Sequence, residues 1–261
     1  MTSDIRNLPA PAERSPSAER HPAPAFLASV TNVAEARLAA ASGADIIDCK
    51  DPSRGALGAL PLDAIFAVRA AVPREIPVSA TVGDLKPEPD VLTLAVEAAA
   101  ATGVDYVKIG LFAGGSAGAA IARLGRLSIG RTQLVGVLLA DQAPDFTLID
   151  AMGAAEFAGV LLDTAHKQSG SLPDLLDASK LREFIGKVHR RGMFSGLAGS
   201  LRRDHIPALL QLGTDILGFR GALCEAGARS AKLDSRSLAE IRRAIPLNTK
   251  PIAARPVEAA Q

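Results

Sequence analysis

The chain has 261 residues, 48% of them hydrophobic and 22% charged, with a net charge of +1. That balance suits a globular protein of one large domain or two small ones and gives no electrostatic case for nucleic acid. One Tyr, eight Phe and no Trp leave no stacking platform for bases, and no apolar run approaches the length of a membrane span.

Residues 1–24 hold five prolines and alternating charges, with Ile5 and Leu8 as their larger aliphatics. This composition predicts a disordered tail that lacks the apolar core of a signal peptide. A single catalytic domain is expected over 25–247, followed by a flexible tail over 248–261. Cys49 and Cys224 stand in no metal-like spacing and read as reduced thiols of a cytoplasmic protein, and the four histidines form no ligand cluster.

From Phe26 the pattern becomes regular. Strands are predicted at 26–30, 44–49, 77–82, 104–109, 133–139, 157–162, 193–197 and 214–219. Helices are predicted at 33–42 with Asn32 as its cap, 61–71, 90–102, 117–127, between 145 and 152, 174–191, 203–211 and 235–243. Gly43-Ala44-Asp45-Ile46, Gly103-Val104-Asp105-Tyr106 and Gly213-Thr214-Asp215-Ile216 share the form Gly-x-Asp-apolar, each opening a strand after an Ala- or Leu-rich helix. Their spacing gives about 30 residues per unit, the size of a βα unit. Eight units of that size close into a (β/α)8 TIM barrel. An open doubly wound sheet is disfavoured, because no Gly-x-Gly-x-x-Gly follows the first strand.

In such a barrel the active site lies at the carboxyl ends of the strands. Strand two ends in Asp48-Cys49-Lys50-Asp51-Pro52, and alternation puts Ile46, Asp48 and Lys50 on one face. A buried carboxylate and amine there read either as a structural ion pair or as a catalytic lysine with an acidic neighbour. The other strand ends supply Ser79, Thr81 and Asp84, then Lys108, then Asp163 with Lys167 four residues on. Three lysines, three acids and Arg220 thus converge on one mouth, which favours a site. An amine is a nucleophile only when neutral, and at a pKa of about 10.4 fewer than roughly one lysine in a thousand is neutral at pH 7. Like-charge repulsion between Lys50 and Lys108 is expected to lower that pKa, with Asp48 and Asp163 opposing the shift and moving protons. The glycine-containing turns after strands seven and eight, with Gly199, Ser200, Arg220 and Gly221, are expected to bind phosphate through backbone N–H groups and a guanidinium fork. Lysines beside a phosphate site point to carbonyl chemistry on a small sugar phosphate.

The segments ADIIDCKDPSRGALGA, PVSATVGD, GVDYVKIGL, LLDTAHK, LAGS, HIPALLQLGTDILGFRGALC and LASVTNVAEA together resemble the (5-formylfuran-3-yl)methyl phosphate synthase family, the furan-forming enzymes of methanofuran biosynthesis. The resemblance spans Leu27 to Cys224. It implies a TIM barrel that condenses two molecules of glyceraldehyde 3-phosphate with loss of one phosphate and of water. It places the Schiff-base lysine on Lys50 and other catalytic positions on Lys108, Asp163 and Lys167, and it implies no metal or organic cofactor. The expected partner is a phosphorylated triose, with no nucleic acid or membrane, and the expected assembly is a homo-oligomer. The region Ala113–Met152 shows little of the family's pattern, and His166 stands where an apolar residue is expected. Another Schiff-base aldolase, a sugar-phosphate isomerase and a non-catalytic barrel that binds a phosphorylated metabolite are the alternatives.

Overall fold

The computed structural model describes residues 22–112, 116–166 and 170–248. Eight parallel strands close into a barrel in chain order. They are β1 (Ala25–Val30), β2 (Ile46–Cys49), β3 (Val78–Thr81), β4 (Tyr106–Gly110), β5 (Gln133–Leu139), β6 (Gly159–Asp163), β7 (Phe194–Leu197) and β8 (Ile216–Phe219), and β8 pairs back onto β1. That last pairing leaves no open edge and rules out the doubly wound sheet. The helices are α1 (Val33–Ala41), α2 (Leu62–Ala71), α3 (Pro89–Ala100), α4 (Ala117–Leu124), α5 (Leu148–Ala154), α6 (Leu172–Leu175), α7 (Ala178–Arg190), α8 (Ile206–Leu210) and α9 (Ser235–Ala244). Of the expected tails, residues 1–21 and 249–261 lie outside the described residues, and so does Lys167. No helix among the described residues is long and apolar enough to cross a membrane.

The strands read as nearly continuous apolar runs because the barrel buries both of their faces. Ile46 packs inside the barrel with Ala25, Leu27 and Ile216, whereas Ile47 and Cys49 belong to the larger core beneath the helices. The two-residue alternation therefore turns Asp48 inward with Ile46, as the pattern predicts.

The Gly-x-Asp repeat builds the end of the barrel opposite the mouth. The three glycines have φ of +84°, +80° and +74°, the left-handed turn that ends a helix before a strand. Each aspartate then takes the backbone N–H of a neighbouring strand. Asp45 accepts from Phe26 N, Asp105 from Val78 N and Asp215 from Ser195 N. Each also meets a cation from a helix: Arg242, Arg69 and His189 respectively. All three strands so opened, β2, β4 and β8, start on the residue that follows the aspartate.

Two helices differ from expectation. The predicted helix 174–191 is broken, since Leu176 is extended and Asp177 caps a new helix by accepting from Lys180 N. The predicted helix 203–211 is a 3-10 turn, Arg203–His205, followed by α8, whose first turn contains Pro207.

Candidate active site

Asp48 is fully enclosed below the mouth. Ser29 and Ser79 flank it in register on the two adjacent strands, and their hydroxyls donate to its two oxygens at 2.9 and 2.6 Å. Lys108 Nζ, from β4, reaches the same carboxylate at 2.8 Å. Burial pushes the Asp48 carboxyl up, but the ammonium groups of Lys108 and Lys50 and the Ser79 hydroxyl outweigh it and hold the group below its ordinary range. Asp48 is thus the counter-charge of Lys108.

Lys50 pairs elsewhere. Its Nζ donates to Asp163 Oδ2 at 2.9 Å, with both side chains under one-tenth exposed. Asp163 Oδ1 accepts from Thr164 N at 2.7 Å. The expectation that Lys50 is activated by repulsion from Lys108 is therefore corrected. Burial favours the neutral amine, but Asp163 and then Asp48 outweigh burial and raise the Lys50 pKa. The raised pKa keeps Lys50 an ammonium ion in the free protein, with the Asp163 carboxylate in hydrogen-bond reach of its protons.

The turns after β7 and β8 face Lys50 across a cavity of about 380 Å³, lined among others by Lys108, Asp163, Ser200, Gly221 and Arg229. Gly199 and Ser200 have φ of +98° and +50°. A Cβ on Gly199 would lie 2.7 Å from Thr164 Cγ2, so the close approach to the β6 loop as well as the backbone angle calls for glycine. The N–H groups of Gly199, Ser200, Gly221 and Ala222 donate to no acceptor among the described residues.

Arg220 is placed differently from expectation. Its guanidinium grips Glu35 at 2.6 and 3.3 Å and donates to the carbonyls of Ser29, Arg229 and Ala231. All five N–H donors of the fork are engaged. In this geometry Arg220 offers a phosphate no free fork, and its work is to tie α1 to the loop after β8. Burial raises the Glu35 carboxyl, but Arg220 and Thr31 outweigh it and hold the group low.

Other residues at the mouth hold its loops in place, and of these Asp141 and Arg229 escaped the sequence reading. Asp84, expected among the converging acids, accepts from Ala56 N and Leu57 N and so pins the loop that follows Lys50. Asp141, just past β5, accepts from Ala165 N and His166 N and pins the loop after Asp163. His166 itself is exposed and lies beside Asp141 at 3.2 Å. Arg229, in the loop after β8, donates to the carbonyls of Pro52 and Gly55. The signal for the two aspartates was their place two or three residues beyond a strand end, and for Arg229 there was none. Among the described residues no group of three or more His, Cys, Asp or Glu is placed to hold a metal ion.

A closed eight-stranded barrel with two buried lysine–aspartate pairs at its carboxyl mouth defines a (β/α)8-barrel enzyme. The model of the 4-HFC-P synthase family matches residues 26–242, passing through the region 113–152 where the motifs were sparse. The chain belongs to that family. It is 36% identical to the (5-formylfuran-3-yl)methyl phosphate synthase of Methanocaldococcus jannaschii, an alignment that covers 83% of this chain and 97% of that one. The enzyme of the same name from Methanococcus maripaludis is 38% identical, covering 79% and 92%. A Methylorubrum extorquens protein provisionally given that name is 40% identical, covering 83% and 89%. Among solved structures, 3-hexulose-6-phosphate synthase aligns with a TM-score of 0.59 at 22% identity, covering 85% of this chain and 99% of that one. Phosphoribosyl anthranilate isomerase from Thermus thermophilus aligns at 0.60 and 15%, covering 84% and 97%. At these identities the structures share the fold.

Proposed function

We propose that this enzyme makes (5-formylfuran-3-yl)methyl phosphate, for methanofuran-type cofactor biosynthesis, by condensing two molecules of glyceraldehyde 3-phosphate through an imine on Lys50. The observation that carries this reading is the buried Lys50–Asp163 pair, at 2.9 Å, opening on a cavity whose far wall presents backbone N–H groups with no acceptor among the described residues. Transfer of the ammonium proton to Asp163 frees the Lys50 lone pair for attack on the substrate carbonyl, and loss of water gives the imine. The imine acidifies the neighbouring C–H bond, and the carbanion equivalent attacks the second aldehyde. Eliminations of phosphate and water then need a base at carbon and an acid at oxygen. Asp163 and Lys167 are assigned to that proton traffic and Lys108, held by Asp48, to the substrate oxygens. Gly199, Ser200 and Gly221, with the Ala222 N–H, hold the phosphate that stays on the product.

Borohydride reduction with glyceraldehyde 3-phosphate, followed by peptide mapping, should label Lys50, while the furan product appears by its near-ultraviolet absorption. Labelling of a Lys50→Arg variant equal to that of the parent would refute the imine assignment. A homo-oligomer belongs to the same proposal: Leu62 and Phe66 on α2 and Val91 and Leu94 on α3, four of the five large apolar residues exposed among the described ones, lie on neighbouring helices. Sedimentation as a monomer at micromolar concentration would remove it.

A further inference from the structure

The positive groups around the mouth are not equivalent. Lys50 is matched with Asp163, Lys108 with Asp48, and Arg220 with Glu35. Arg229 is half-buried, lines the same cavity, and has no carboxylate within ion-pair reach among the described residues. Its Nη2 donates to the carbonyls of Pro52 and Gly55, in the loop that follows Lys50. Its Nε and Nη1 donors meet no acceptor among the described residues. A half-buried guanidinium that lines a cavity and is held by two carbonyls, with donors to spare, is placed to take an anion from that cavity.

The placement of Arg229 is itself supported. Arg220 donates to the Arg229 carbonyl at 2.9 Å and to the Ala231 carbonyl at 2.9 Å, while Glu35 fixes Arg220. The fork expected of Arg220 is thus spent on holding the backbone of a second arginine whose own fork is partly free. Arg229 also lies near enough to Lys50 for its charge to oppose protonation of that amine. The backbone N–H groups after β7 and β8 line the same cavity, while the hydrogen bonds of the Arg229 side chain go to the loop that follows Lys50.

We infer that Arg229 is a second phosphate-binding residue and that it holds the phosphate that leaves during the reaction. This rests on the two-triose reading above, in which two phosphates enter and one stays. In the elimination a base removes a proton from carbon, a carbon–carbon double bond forms, and the C–O bond breaks with its electron pair going to the ester oxygen. Charge grows on the departing phosphate as that bond breaks, and a fixed guanidinium stabilises it there more than in the ground state.

Inorganic phosphate is the probe that separates this site from the backbone site. Calorimetric titration of the full chain should show two phosphate equivalents, and Arg229→Gln should retain one of them. In single turnover with glyceraldehyde 3-phosphate, Arg229→Gln should still form the borohydride-trappable imine but release phosphate at least about tenfold more slowly. Arg229→Lys, which keeps a charge and one donor direction toward the loop, should bind the second equivalent about tenfold more weakly, and it decides the matter if the glutamine variant does not fold. Unchanged phosphate stoichiometry and affinity in these variants, or a loss of thermal stability with phosphate release unaltered, would overturn the inference and leave Arg229 as a loop clamp. Absence of furan from the parent enzyme would count against the two-triose reading alone, since the phosphate titration does not depend on turnover.

Discussion

Lys50 and Asp163 are 113 residues apart in the chain, and their side chains meet at 2.9 Å inside the mouth of the barrel. The contact makes the resting amine cationic and puts the acceptor for its proton in place. In the imine reading proposed above, activation of Lys50 is then a local proton transfer, with no need for a depressed resting pKa.

Asp163→Asn removes the attraction that raises the Lys50 pKa. With the sign worked through, the neutral amine then becomes available at lower pH, so half-maximal imine trapping should move down by about one pH unit or more. Furan formation should fall at least about a hundredfold, because the eliminations lose their base. Trapping measured from pH 5 to pH 10 checks this, and an unmoved profile would contradict it.

Asp48→Asn leaves the Lys108 ammonium in a buried position without its counter-charge. The expected loss is about 3–5 kcal/mol in urea unfolding. Replacing Lys108 as well, as Asp48→Asn with Lys108→Met, should restore part of that loss while activity stays abolished. The Asp48 carboxyl is held low, so its stabilisation is present above its ordinary pKa of about 3.9 and is lost as pH falls through the folded value.

Arg220→Ala should act through stability as well as through substrate binding. It strands Glu35, whose side chain is 9% exposed, and frees the carbonyls of Ser29, Arg229 and Ala231. A loss of about 3 kcal/mol in denaturant unfolding is expected, reduced when Glu35→Gln is added. A variant of parental stability with only a raised KM would return Arg220 to the phosphate.

His189 and Asp215 meet at 2.7 Å at the opposite end of the barrel. The hydrogen bond to Asp215 raises the His189 pKa against the effect of burial. Its stabilisation is complete below the ordinary histidine pKa of about 6.5 and is lost as pH rises through the higher folded value. Burial raises the Asp215 carboxyl, but His189 and the Ser195 N–H outweigh it, so its share fails as pH falls below about 3.9. Both side chains are about two-fifths exposed, so the pair is worth less than about 1 kcal/mol. Scanning calorimetry should show a small fall in Tm between about pH 6.5 and pH 8 that His189→Gln removes.

Much of the barrel was legible in the chain itself. Strand and helix alternate with a period set by local sterics, and the Gly-x-Asp repeat marks where helices end and strands begin. Asp48, Lys50, Lys108 and Asp163 were recognisable as mouth residues because alternation and position along a strand dictate which way a side chain faces. The break at Leu176 and Asp177 was hidden, because Asp177 sits inside a continuous amphipathic pattern and its capping bond to Lys180 N forms only once the backbone has turned extended there.

Closure decided the rest. Which acid meets Lys50, and which meets Lys108, depends on strand stagger and on reach across the barrel, and neither is encoded within any single segment. Arg220 carries the residue type expected of a phosphate fork, yet Glu35, 185 residues away, has claimed it. Arg229 lay in an irregular loop without periodicity, and only the packing of that loop against Pro52 and Gly55 brings it to the cavity. Local pattern determined the elements and the end of the barrel that bears the charges, whereas long-range packing paired Lys50, Lys108 and Arg220 with their carboxylates, because burial penalises an ion that finds no partner.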